Sequence, residues 1–206
     1  MADQVRLFVW SDYLCPWCYN ATVRLRRLEE ELGDRVALEW RSYLLRPHTD
    51  ANRTMETFRA YTSSWTRPAA EPESGTFRVW ATDEGPPSHS VPPHLVAKAA
   101  ALLGLQAFHA MHDRLLHAYF AENRDITRAE TLLELWREIG LPDDGFERAG
   151  DPAILREVVD QHNEAIARDV NGVPAVVMEG NDVPIVGAMP YETYRRWVLR
   201  RLAGEI

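Results

Sequence analysis

The chain has 206 residues and a mass of 23.6 kDa, which is one large domain or one domain carrying a sizeable insertion. Hydrophobic residues at 46% allow a core without disulfide staples, and a net charge of −8 argues against nucleic acid or an anionic membrane surface as a partner. No apolar run reaches the roughly 18 residues of a membrane-spanning helix, and residues 1–6 lack the basic and apolar regions of an export signal, so the cytoplasm is the expected compartment.

Residues 5–10 are β-prone and run into Ser11 and Asp12, the pattern of a strand entering a turn. The chain's two cysteines follow at once, in Cys15-Pro16-Trp17-Cys18. Residues 19–32 then set Val23, Leu25, Leu28 and Leu32 among Arg and Glu, with Gly33 as a stop, which predicts an amphipathic helix. Pro16 fits the first turn of that helix, where the N–H it lacks has no partner to lose. Residues 36–45 read as a second strand ended by Arg46-Pro47, completing a β-α-β unit with a parallel strand pair.

The next hundred residues have a different texture. Residues 51–93 are rich in Thr, Ser, Pro and Gly, so loops and one short helix marked by Met55, Phe58 and Tyr61 are expected, much of the segment mobile. Helices follow at about 93–103, 105–122 and 127–139, the last with Thr127 as N-cap and Glu130 closing a capping box. A short helix after Pro142 and a longer one at 152–168 complete the run. Residues 175–179 and 183–187 form a hairpin around Gly180-Asn181-Asp182, its first strand opened by Pro174, and 191–202 is a final amphipathic helix.

A Cys-x-x-Cys between a strand and a helix is a redox signature. The free N–H groups at the helix start favour a thiolate on Cys15, and Cys18, one turn later on the same face, can reach a mixed disulfide and resolve it. Half of a zinc site, or two buried structural cysteines, would leave this placement unexplained. No metal or cofactor is expected: His109, His112 and His117 do not share one helical face, and no glycine-rich phosphate loop occurs.

Taken in order, residues 12–19, 38–40 with 45–47, 116–122 and 172–175 resemble the DsbA-like branch of the thioredoxin superfamily, closest to its FrnE-like oxidoreductases. The resemblance implies a thioredoxin fold of the α/β class with an inserted all-helical domain: halves at 1–48 and 152–206, insertion at 49–151. It implies that Pro174 is preceded by a cis peptide and faces the cysteine pair, and that the backbone of Val173 pairs with an extended substrate. Cys15 and Cys18 are then the catalytic pair, Trp17 joins Val173 and Pro174 in substrate binding, and Pro16 and Asp12 tune the couple.

The implied partners are protein or small-molecule disulfides and thiols, with a reductase partner or a low-molecular-weight thiol completing the cycle. Two alternatives stay open. One is a glutathione-type isomerase or transferase resembling the kappa-class transferases, although those relatives typically carry serine at the first cysteine position. The other is a chaperone-like binding module without catalysis. A last expectation concerns the insertion, whose Tyr61, Trp65 and Trp80 would roof a groove that selects partners; the competing reading packs these rings into the insertion's own core.

Overall fold

The computed structural model describes residues 4–50, 52–181 and 183–206. The opening residues 1–3, Ala51 at the head of the loop-rich segment and Asp182 of the expected hairpin turn lie outside the described residues.

Strand β1 (Val5–Ser11) leads through a tight turn into helix α1 (Pro16–Leu32), and the chain returns as β2 (Val36–Ser42), parallel to β1 with Val5 opposite Val36 and Ser11 opposite Ser42. Burial alternates strictly along β2, with Val36, Leu38, Trp40 and Ser42 inward, because a strand turns successive side chains to opposite faces. β2 ends three residues earlier than expected. The amides of Leu44 and Leu45 are taken by His162 Nδ1 at 3.2 Å and Asp12 Oδ2 at 2.7 Å, so they cannot extend a ladder.

The inserted helices come next: α2 (Met55–Thr62), α3 (Thr66–Ala69), α4 (Val91–Ala101), α5 (Leu105–Phe120), α6 (Ala129–Glu138) and α7 (Asp143–Glu147). The expected capping box at α6 does not form. Its N-cap is Arg128, without a side-chain cap, and the Thr127 hydroxyl instead donates to Asp125 Oδ1 at 2.7 Å and accepts from the Ser88 amide. Helix α8 (Pro152–Ala167) carries the chain back, capped by Asp151, whose side chain accepts from the Ala153 amide. Strands β3 (Ala175–Met178) and β4 (Ile185–Val186) and helix α9 (Tyr191–Leu202) finish the fold. The sheet order is β2-β1-β3-β4, with β3 antiparallel to both of its neighbours.

One continuous core joins the sheet to the insertion. Leu7, Val9 and Trp40 from the strands, Leu25 and Leu28 from α1, and Leu115, Leu116 and Tyr119 from α5 belong to it. A smaller cluster on the opposite face packs Trp10, Tyr43, Val170 and Val177 against Ala165 of α8. The insertion is therefore fastened to the sheet by shared burial, the dominant stabilising term in folding.

Polar contacts fix the same junction. Arg24, buried on α1, donates from Nη1 to the carbonyls of Ala188 and Met189 and from Nη2 to that of Pro72. Asn20 holds Pro68 O at 2.9 Å and the Gly75 amide at 3.0 Å. Gly75 permits this approach, since a Cβ there would meet the Tyr19 ring at 2.3 Å. The segment between α3 and α4 is thus pinned rather than loose: Arg78 N bonds Phe120 O at 2.8 Å, Trp80 N bonds Thr62 Oγ1 and Ala81 N bonds Asn123 Oδ1.

Candidate active site

The site forms where β1 gives way to α1. Cys15 is the N-cap of the helix, with extended backbone (φ −96°, ψ 114°), and Pro16 occupies the first helical position. Because the cap residue's side chain turns back over the first turn, Cys15 Sγ receives the Cys18 amide at 3.3 Å. The two sulfurs are inequivalent. Cys18 is fully buried, and its thiol is pushed well above the usual cysteine range, first by burial and then by the hydrogen bond and charge of Cys15. The Ser11 hydroxyl and Asp12 backbone act in the opposite direction. Cys15 is 4% exposed, at the surface end of the pair.

Val173 and Pro174 arrive from the far end of the chain. The peptide between them is cis, and Cys15 Sγ donates to the Val173 carbonyl oxygen at 3.4 Å. Trp17, between the cysteines in sequence, is 38% exposed.

Asp12 is completely buried and bridges two loops: Oδ1 accepts from the Leu14 amide at 2.6 Å and Oδ2 from the Leu45 amide at 2.7 Å. Burial raises its carboxyl to about 6, against the pull of hydrogen bonds from Ser90, Leu14 and Leu45 and the charge of Arg46. One carboxylate thereby sets the turn that carries Cys15 and the loop that follows β2.

Structure and sequence part company over the aromatic residues. Trp65 and Trp80 are 0% and 3% exposed and pack edge-on with Phe58, Tyr119 and Phe120, so they fill the insertion's core and do not roof a groove. Tyr61, 44% exposed, is the member of that set that borders the site, beside Leu14, Leu45, Arg46 and Arg53. Arg53 and Ser11 carry no local sequence signal, because their place at the site depends on packing between distant segments. Arg46 lies inside a segment of the family resemblance, but its sequence context marks only a strand end.

The histidines of α5 serve structural contacts. Fully buried His112 bonds the Tyr13 hydroxyl at 2.9 Å and the Thr22 hydroxyl at 3.1 Å, and burial lowers it to about 3, so it is a neutral imidazole. His109 meets Arg26, and half-exposed His117 lies near Glu122. Among the described residues no group of three or more His, Cys, Asp and Glu could hold a metal ion.

The chain is similar to known proteins over nearly its whole length. YwbO of Bacillus subtilis (strain 168), an uncharacterised protein, is 24% identical over 212 residues, covering 93% of this chain and 94% of its own. The crystal structure of the probable DsbA oxidoreductase SCO1869 from Streptomyces coelicolor superimposes with a TM-score of 0.77 at 24% identity, over 98% of this chain and 92% of that one. The cytosolic disulfide reductase DsbM from Pseudomonas aeruginosa does so with a TM-score of 0.73 at 20% identity, over 96% and 98%. The DSBA-like thioredoxin domain family matches residues 6–198, and the chain belongs to that family.

Proposed function

We propose that the protein is a thiol–disulfide oxidoreductase of the FrnE-like kind, working through Cys15 and Cys18. The observation that carries this reading is the pair of contacts on Cys15 Sγ, the Cys18 amide at 3.3 Å and the Val173 carbonyl at 3.4 Å. The amide donates to the reacting sulfur at the helix start, and the Val173 strand offers backbone to an extended substrate.

In the reducing direction, the Cys15 thiolate attacks one sulfur of a substrate disulfide. The substrate S–S bond breaks, a Cys15–sulfur bond forms, and the departing sulfur leaves as a thiolate that takes a proton from water. Cys18 then loses its proton and attacks Cys15 Sγ, releasing the second substrate thiolate. Two electrons have passed to the substrate, and the protein holds a Cys15–Cys18 disulfide. Run backwards, the same steps oxidise a dithiol.

In this reading Trp17 supports the substrate from the solvent side, Pro16 and Asp12 shape the helix entry, and residues 49–151 act as the inserted domain. A cytoplasmic setting accompanies it, with a dithiol resting state. No helix among the described residues is long and apolar enough to cross a membrane. The test is a single-turnover reaction of reduced protein with a small disulfide, together with the reduction potential in a glutathione buffer. Stoichiometric loss of both thiols is the expected result; a folded protein inert to the disulfide would leave only a binding role.

A further inference from the structure

Beside Cys15 lies a pocket of about 370 Å³ lined by Leu14, Leu45, Arg46, Arg53 and Tyr61. Two of its five residues are arginines in a chain of net charge −8. Arg26, Arg41, Arg59, Arg114 and Arg124 are each matched by an acidic side chain. Among the described residues, no ion pair joins Arg46 or Arg53 to a carboxylate. The charge of Arg46 opposes that of Arg53, so the two guanidinium groups stand near enough to repel. Asp12 feels Arg46, but it is fully buried, and both its oxygens already accept backbone amides.

Both arginines are held in place. Arg46 exchanges two hydrogen bonds with Ser90, its amide to Oγ at 3.1 Å and its carbonyl from the Ser90 amide at 2.8 Å. The Arg53 guanidinium lies 4.5 Å over the Phe58 ring and donates to the Pro87 carbonyl. The Tyr61 phenol is pushed up, first by burial and then by the charge of Cys15, so it keeps its proton and can donate a hydrogen bond into the pocket it lines. An anchored Arg53 guanidinium, an Arg46 side chain without a carboxylate ion pair on a backbone held by Ser90, and a phenol donor make a site for carboxylate oxygens.

We propose that this pocket is the anion subsite for a small thiol or disulfide substrate bearing carboxylates, which Arg46 and Arg53 hold while its sulfur meets Cys15. The proposal rests on the thiol–disulfide reading above. The first step is unchanged: a Cys15–sulfur bond forms, the substrate S–S bond breaks, and the leaving half departs as a thiolate protonated by water. The subsite acts before that step, by raising the local concentration of an anion that the rest of the acidic surface repels.

The test uses the reduced full-length protein and three small aliphatic disulfides: dithiodipropionate (anionic), cystamine (cationic) and bis(hydroxyethyl) disulfide (neutral). Each single-turnover rate is divided by the rate of the same disulfide with a small free thiol, which removes differences in leaving group. At low salt the normalised anion-to-cation ratio should exceed one, fall by about ten-fold in the Arg46→Gln, Arg53→Gln double variant, and shrink with added salt in the wild type. Arg46→Gln alone should show part of the fall, which keeps the test sound if loss of the Arg53–Phe58 stack disturbs folding. A wild type that reacts with the neutral disulfide but shows a ratio unmoved by either variant would overturn the subsite and leave the oxidoreductase reading standing. A wild type inert to all three would overturn both.

Discussion

Cys15 Sγ donates a 3.4 Å hydrogen bond to the carbonyl oxygen of Val173, a residue 158 positions further along the chain. The contact joins the helix start to the strand end that, in the proposed reading, pairs with an extended substrate. A disulfide lying along Val173 would present its sulfur to Cys15 without further rearrangement, which is the positioning that bimolecular exchange otherwise lacks.

The cysteines should be unequal in function. Cys15→Ser should abolish single-turnover reduction of a small disulfide, whereas Cys18→Ser should react once and stop as a mixed disulfide. Mass spectrometry of the intact protein reads both outcomes. Sustained turnover by the Cys18→Ser variant would remove the two-thiol mechanism.

Asp12 should make stability depend on pH. Its carboxyl is raised from 3.8 to about 6 in the folded protein, so the folded state binds the proton more tightly than the unfolded state does. The stabilisation from this group is complete below pH 3.8 and is lost as pH rises through about 6. Asp12→Asn removes the titrating proton; its amide nitrogen cannot accept the second backbone N–H, a cost that is the same at every pH. Relative to wild type, it should gain about 2 kcal/mol between pH 4 and 7, taking 1.36 kcal/mol per unit of pKa shift. Urea unfolding at the two pH values measures the gap, and a gap that did not move with pH would show that Asp12 does not titrate in this window.

Trp65→Ala should cost stability and leave the chemistry in place. The ring is fully buried between Phe58, Tyr119 and Phe120, and truncating such a side chain costs about 3–5 kcal/mol. The folded protein should still react with a small disulfide at a rate close to wild type. A stable variant with a raised Michaelis constant for protein disulfides would return Trp65 to the substrate groove.

Trp17→Ala should do the reverse. At 38% exposure the ring contributes little to the core, so the unfolding midpoint should hardly move. Losing an apolar contact worth about 1–2 kcal/mol should raise the Michaelis constant for an unfolded-protein disulfide by roughly ten-fold. Equal Michaelis constants in variant and wild type would show that the ring faces solvent in the complex as well.

Much of the fold was legible because its signals are local. Val5 to Trp10 before Cys15, the apolar spacing of α1 and the apolar positions of α9 each reflect a periodicity within one element, and each element formed within a few residues of expectation. Where local signals failed, a tertiary partner had intervened. Thr127 forsook its capping role for Asp125 and Ser88, and residues 44 and 45 left the sheet because His162 and Asp12 claimed their amides.

By itself the sequence determined the cysteine pair at a helix start, the two halves of a thioredoxin fold and the helices between them, since backbone propensity and side-chain periodicity act over a few residues. Only the tertiary structure decided which side chains surround the sulfur. Tyr61 lines the pocket next to Leu14, the residue before Cys15, while Trp65 and Trp80 are buried against Phe58 and Tyr119. Arg46 and Arg53 share one pocket because Asp12 and Ser90 hold one loop while Phe58 and Pro87 hold the other. Such neighbours are set by the closure of segments far apart in the chain, and no residue-by-residue pattern encodes that distance.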